Sequence, residues 1–359
     1  MKKVLMIVAA VTIIMTADLL AEDSKVKLSG DLRYRHETID TEGKDARHRH
    51  RVRARVAISG QVNEELNGTV EISSGSDDPV SNNQSLDNAF STKNLGLNLA
   101  YMSYKPNKVE GLEILAGKMR NPFLMIQKEE LIWDPDMNPE GLAFKFNHAA
   151  QPVDIFFNAG YFWVEERSSD DDSYLIGGQG GLTIDLMEGA GYLTAGAGYY
   201  NYENIQGYAP VYDDDSFGNT LDTNDLFVED FDQIDFFAEA GTKVQNIPVA
   251  IFADLVTNTA ADSNNTGWLI GTTIGKTKKP GSWKFRYQYK KQEANSVFAT
   301  FTDSDFLGGG TNGKGHEFNF NLQIMDAATL GITYFVNQID LDNEMDYKRL
   351  QADIAVKFK

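Results

Sequence analysis

The chain has 359 residues, 33 basic against 52 acidic side chains, a net charge of −19 and no cysteine. That balance argues against a nucleic-acid partner, whose phosphates call for a basic surface. The missing cysteines argue against a small disulfide-stapled fold. Beyond the first twenty residues no stretch reaches the ~20 apolar residues that a membrane helix needs.

Lys2 and Lys3 precede an apolar run over residues 4–15, and Ala21 offers a small residue before a cut. This reads as a secretory signal over residues 1–21, with one mature domain over 22–359. Removing it takes away Lys2, Lys3 and Asp18 and leaves a net charge of −20.

The first predicted strand covers residues 25–37. Val26, Leu28, Leu32 and Tyr34 alternate there with Lys27, Asp31, Arg33 and Arg35. The second is the most informative. Arg47, Arg49, Arg51, Arg53 and Arg55 occupy every second position, with His48, His50, Val52, Ala54, Val56 and Ile58 between or beyond them. In an extended strand such residues point to opposite faces. A column of guanidinium groups cannot sit in a dry core, because each uncompensated charge costs several kcal/mol. It can face water inside a channel while the opposite face meets lipid, as in a transmembrane β-barrel strand.

Period-two patterning continues through 66–74, 95–105, 111–119, 141–147, 153–165, 174–186, 192–202, 231–244, 249–258 and 267–276. It then resumes at Trp283, where Phe285, Tyr287 and Tyr289 face away from Lys284, Arg286, Gln288 and Lys290, and ends with 317–324, 330–339 and 347–358. Short connections near 63–65, 107–110, 148–152, 187–189, 245–247, 277–280 and 325–327 alternate with long ones. The expected fold is all-β: an antiparallel up-and-down transmembrane barrel of about 16 strands. Both termini are expected on the periplasmic side, where the short turns lie.

The stretch Trp133-Asp134-Pro135-Asp136-Met137-Asn138-Pro139-Glu140-Gly141-Leu142 resembles one shared by bacterial outer-membrane porins, as do Gly30-Asp31-Leu32-Arg33-Tyr34-Arg35 and the arginine-rich second strand. The chain also ends on an amphipathic strand with Phe358, although Lys359 follows it. The resemblance implies a channel for passive diffusion of ions and small hydrophilic solutes. It also implies the outer membrane of a Gram-negative bacterium, contact with lipid and lipopolysaccharide, homotrimers and no cofactor. In general porins the third external loop folds into the barrel and narrows it.

Here the third long connection, 120–138, stands apart. It begins at Arg120 and carries Phe123, Leu124, Met125, Ile126, Leu131, Ile132 and Trp133 with Glu129, Glu130, Asp134 and Asp136. So much apolar surface suits a loop packed against an inner wall. The expected site sets its carboxylates across the pore from a basic wall of Arg33, Arg35, Arg47, Arg49, Arg51, Arg53 and Arg55. Arg349 joins that wall through barrel closure, and Lys284, Arg286 and Lys290 extend it. The competing expectation pairs the arginines with Asp31, Glu71 and Asp353 on neighbouring strands.

Two other readings of function are a substrate-selective anion channel using the arginine ladder, and a non-conducting adhesin or structural barrel. No nucleophile elbow, phosphate loop or zinc-protease motif is present, so an enzyme is not expected. Asp213, Asp214 and Asp215 fit no EF-hand spacing and read as a solvated loop. His36, His48 and His50 gather at the outer end of the first hairpin, where interface polarity explains them more simply than a metal does.

Overall fold

The computed structural model describes residues 25–186 and 189–359. The expected signal over 1–21, and most of the turn at 187–189, lie outside the described residues. The chain runs up and down through β1 (Val26–Thr41), β2 (Arg47–Gln61), β3 (Leu66–Ser74), β4 (Leu95–Tyr104), β5 (Leu112–Lys118) and β6 (Glu140–Ala150). It continues through β7 (Val153–Glu165), β8 (Ser173–Leu186), β9 (Gly191–Glu203), β10 (Phe231–Val244) and β11 (Ile247–Asn258). The last five are β12 (Thr266–Gly275), β13 (Trp283–Gln292), β14 (Gly313–Met325), β15 (Ala328–Ile339) and β16 (Met345–Phe358). Each of these sixteen strands pairs antiparallel with the next.

β16 closes the ring on β1, in a register running from Gly30↔Phe358 to Thr41↔Tyr347. Closure leaves no sheet edge unpaired, the condition for backbone to cross a bilayer in strands. The Phe358 ring lies over Gly30, where an added Cβ would come within 2.4 Å of its Cζ. One part of the wall is patched from a loop. The outer half of β2 runs beyond β3 and pairs instead with Gln84–Ser85 of the β3–β4 connection, at Arg51↔Ser85 and Val52↔Gln84.

The outer face carries the apolar half of the alternation. Leu142, Phe144, Ile155, Phe157, Ile251, Leu255, Ile332 and Ile354 are all exposed there. Tyr161, Trp163 and Trp283 add exposed aromatic rings.

The inner face divides in two, which the alternation alone does not foretell. On β13 to β16 and β1 to β2 it is polar. On β7 to β11 it presents Phe162, Tyr200, Tyr202, Phe231, Phe237 and Phe252, all buried, and these pack with loop residues into one apolar core inside the ring. Glycine makes the space. A Cβ on inward Gly177 of β8 would lie 2.6 Å from the Phe123 ring and 3.0 Å from Tyr200.

That contact is testable. Gly177→Leu overfills the site and should lower stability by about 1–3 kcal/mol, seen as a lower temperature for loss of the compact band in SDS gel electrophoresis. Its outward neighbour Gly178 has nothing within 4 Å of a Cβ, and Gly178→Leu should leave that temperature in place.

Candidate lumenal site

The β1–β2 register sets like charges opposite one another: Arg33↔Arg53 and Arg35↔Arg51. Directly opposed like charges repel, so each pair needs acids within reach; Asp31 supplies one diagonally to Arg53, and Asp353 supplies one directly opposite Arg35 across the seam. Asp31 accepts from Arg53 Nη2 at 3.0 Å and from Arg55 Nε at 2.7 Å. Asp353 on β16 holds Arg35 in a fork, with Nε–Oδ1 at 2.8 Å and Nη2–Oδ2 at 2.9 Å. Arg33 donates to Asn83 Oδ1 at 2.7 Å.

Glu37 is the hub of the outer end. Its side chain is 0 % exposed and meets Arg49 Nε at 2.5 Å, Arg51 Nη1 at 3.6 Å and Arg349 Nη2 at 2.6 Å. Arg349 is thus joined to the column through barrel closure. Arg47 sits at the exposed outer end, where it lines a cavity of about 450 Å³ with Arg49, Arg51, Asp78 and Tyr212. Of the three expected neighbouring acids, Asp31 and Asp353 do pair with the column. Glu71 instead binds Arg120 at 2.7 Å and Asn98 at 2.6 Å.

The β5–β6 loop, 119–139, touches strands all around the ring. Leu124 exchanges two bonds with Gln179 of β8, at 2.7 and 3.0 Å. Gln127 donates to Glu239 of β10 at 2.6 Å. The carbonyls of Lys128, Glu130 and Leu131 accept from Arg286, Lys290 and Gln292 of β13, at 2.7, 3.0 and 2.7 Å. Asp136 reaches Arg55 Nη1 at 3.1 Å and Arg53 Nη1 at 3.6 Å on β2. A segment that bonds to β2, β8, β10 and β13 of one closed ring passes through its interior. Phe123 stacks on Trp133 with centroids 5.0 Å apart, and Trp133 meets Tyr200 edge-on at 4.4 Å.

The loop's acids do not act together. Asp136 alone touches the arginine column. Glu129 turns the other way, towards Asp235 and Asp254. Glu130 and Asp134 gather with Asp303, one oxygen from each within 4.8 Å of the others. Asp134 already accepts from Ser304 Oγ at 2.9 Å and from the Asp136 amide at 2.8 Å, while Asp303 accepts from Lys290 and the Asp305 amide, both at 2.9 Å. Two of the three carboxylates, Asp134 and Asp303, are thus already engaged by the protein. On β13, Lys284 lies 3.5 Å from Gln127 Oε1, and Arg286 forms an ion pair with Glu317 at 2.6 Å. The basic residues of β13 therefore pair with the loop, Asp303 and Glu317, and Arg286 also lines a cavity shared with Arg33, Arg35 and Arg53.

Sequence patterning did not identify the β13–β14 loop, 293–312, as part of the interior. Val297, Phe298 and Phe306 are buried, and the Phe301 carbonyl accepts from the Asp134 amide at 2.9 Å. Its Asp305 receives Arg35 Nη1 at 3.0 Å and Arg349 Nη2 at 2.6 Å. Burial alone would raise the Asp305 carboxyl; the guanidiniums of Arg349 and Arg35 outweigh it and hold it below the usual range. The β9–β10 loop joins as well, through Asn219 Nδ2 to the Val297 carbonyl at 2.9 Å and through buried Phe227. The available signal was the apolar run Val297-Phe298-Ala299 within a polar loop. Asp213, Asp214 and Asp215 are exposed at a turn.

Between the column and the two loops lies a second cavity of about 170 Å³, lined by Arg33, Arg35, Arg53, Asp136, Asp305 and Arg286 among others.

A family model described as "Putative porin" matches residues 22–242 and 212–358. No curated protein sequence matches the chain. Among solved structures, the fold is similar to OprB of Pseudomonas putida, with TM-score 0.61, 11% identity and 96% of each chain covered. It is also similar to Salmonella typhi OmpF, with TM-score 0.57, 12% identity, and 93% of this chain and 98% of that one covered. For Vibrio cholerae OmpT, described in a trimer form, the values are 0.53, 14%, 94% and 100%.

The Glu129 carboxyl is pushed up to about 7, first by burial and then by the nearby Asp235 carboxylate. A carboxyl raised from 4.5 by folding stabilises the folded state fully only below its unfolded value. That contribution is lost as pH rises through about 7. Glu129→Gln should remove this loss, so that wild type and variant diverge in urea stability between those two pH values. Parallel profiles would place the Glu129 carboxyl in water rather than buried beside Asp235.

Proposed function

The chain belongs to the porin family, and on that premise we propose that it forms a water-filled outer-membrane channel through which ions and small hydrophilic solutes diffuse passively. The observation that carries this reading is the pair of charged cavities along the β16–β1–β2 wall. The apolar core occupies the β7–β11 side of the ring, so water and solutes pass beside the arginines. Selection combines size with a transverse field between guanidiniums and loop carboxylates. Arginine keeps its charge throughout the working pH range.

In this proposal Asp136 and Asp305 mark the narrowest level, because each brings a loop into contact with the wall. Arg33, Arg35, Arg47, Arg49, Arg51, Arg53, Arg55 and Arg349 form its basic side. The chain assembles as a homotrimer, as OmpT is described, with both termini periplasmic and with lipopolysaccharide around the outer rim.

A second reading, preferential passage of anions, is favoured by one observation. Those eight arginines outnumber the five acids that touch them: Asp31, Glu37, Asp136, Asp305 and Asp353.

Planar-bilayer recording of the refolded mature protein tests both readings. Open channels are expected, with a reversal potential of anionic sign in a KCl gradient. Replacing Arg49 and Arg51 together by Gln should move that potential towards cations. Deleting residues 120–138 should raise single-channel conductance, and an unchanged value would sink the constriction. Silence from protein shown to be folded would favour a plugged adhesin or structural barrel.

A further inference from the structure

We infer that His36, His48 and His50 form a binding site for an imidazole-seeking divalent metal, of the zinc, copper or nickel kind, on the outer surface of the β1–β2 hairpin. The chain has five histidines, and these three share one patch. They point away from the lumen, in the row just beyond Tyr34 and Val52, where the apolar outward positions give way to polar ones. Nothing in the conduction path uses them.

The register supplies the geometry. His36 lies directly opposite His50, and His48 is opposite Thr38. The His36 and His50 ring centroids are 4.7 Å apart, and those of His36 and His48 are 6.3 Å apart. Two imidazoles on one tetrahedral zinc, at the usual Zn–N distance, have ring centres roughly 5 Å apart. The observed spacings bracket that value.

The hydrogen bonds point the same way. His50 Nδ1 is 2.6 Å from Tyr34 Oη, and His48 Nδ1 is 3.0 Å from Thr38 Oγ1. When Nδ1–H donates to a hydroxyl oxygen, Nε2 keeps its lone pair and is held in orientation, the arrangement that outer partners give metal-bound histidines. His36 Nδ1 is out of contact with solvent and has no hydrogen-bond partner, so that ring also has an uncommitted nitrogen. The His36–His50 pair forms the core of the site. The three nitrogens are not already gathered within 4.8 Å of one another, so His48 joins as a third ligand only by giving up its contact with Thr38, and it is the weaker member of the set. Imidazole donors select zinc, copper and nickel over calcium or magnesium.

The test is calorimetric titration of the folded mature protein in detergent with Zn²⁺, in a non-chelating buffer. One zinc per chain is expected. His36→Ala and His50→Ala should each weaken binding by about tenfold or more, and His48→Ala by less. A double variant of the remaining histidines, His148→Ala with His316→Ala, should bind as wild type does. Gel mobility confirms that each variant is folded. The proposal is overturned by absence of saturable Zn²⁺ binding, by binding that survives His36→Ala and His50→Ala, or by binding lost in the His148/His316 variant.

Discussion

A guanidinium drawn out of bulk water needs an oxygen to receive it, and the interior of this barrel is arranged around that requirement. β1 and β2 set their arginines in opposed pairs, and β16 adds Arg349 beside them. Acids on the same strands meet part of the demand, through Asp31, Glu37 and Asp353. Asp136 and Asp305, on two different loops, meet much of the rest. The charged wall thus acts as the attachment surface for segments that enter the ring from elsewhere.

Ring width explains why such segments are needed. Eight strands make a barrel that its own side chains can fill, whereas sixteen leave a wide opening. Here the filling is uneven. On one side Phe123 and Trp133 are set against Tyr200, Phe162 and Phe237, with glycine at position 177 making room. On the other side ionic contacts predominate beside a small Phe306–Leu307–Phe335 cluster, and the two arginine-lined cavities remain. The β5–β6 loop separates the two environments. Its apolar residues face one and Asp136 faces the other.

Most of the wall could be read from the sequence, because a strand with lipid on one side and water on the other alternates strictly. β3, β7 and β10 fall at the expected residues, and the others differ at their ends: β1, β6 and β14 pair beyond the hydrophobic pattern, whereas β4 and β5 stop a residue short of it. The arginine column and the fusion of Arg349 to it follow from the same alternation plus closure. What alternation hides is an apolar inner face. The dipeptides Phe156-Phe157, Phe162-Trp163, Tyr199-Tyr200 and Phe236-Phe237 each place one ring inside and one outside. Period-two reading sees only the outer member. The partner choices of the loops were equally hidden, because Asp305 and Glu71 find their arginines through tertiary packing that no local spacing encodes.

Asp305 has a bearing on the order of assembly. It is gripped by Arg35, near the beginning of the described chain, and by Arg349, near its end. Neither strand alone makes that grip, so it arises only when the first and last strands meet. The grip on Asp305 is therefore completed by closure of the ring, whereas the loop's bonds to Asp134, Asn219 and Lys290 do not involve the seam. Once the seam is sewn, the two extremities of the sheet are clasped from within by a residue belonging to neither.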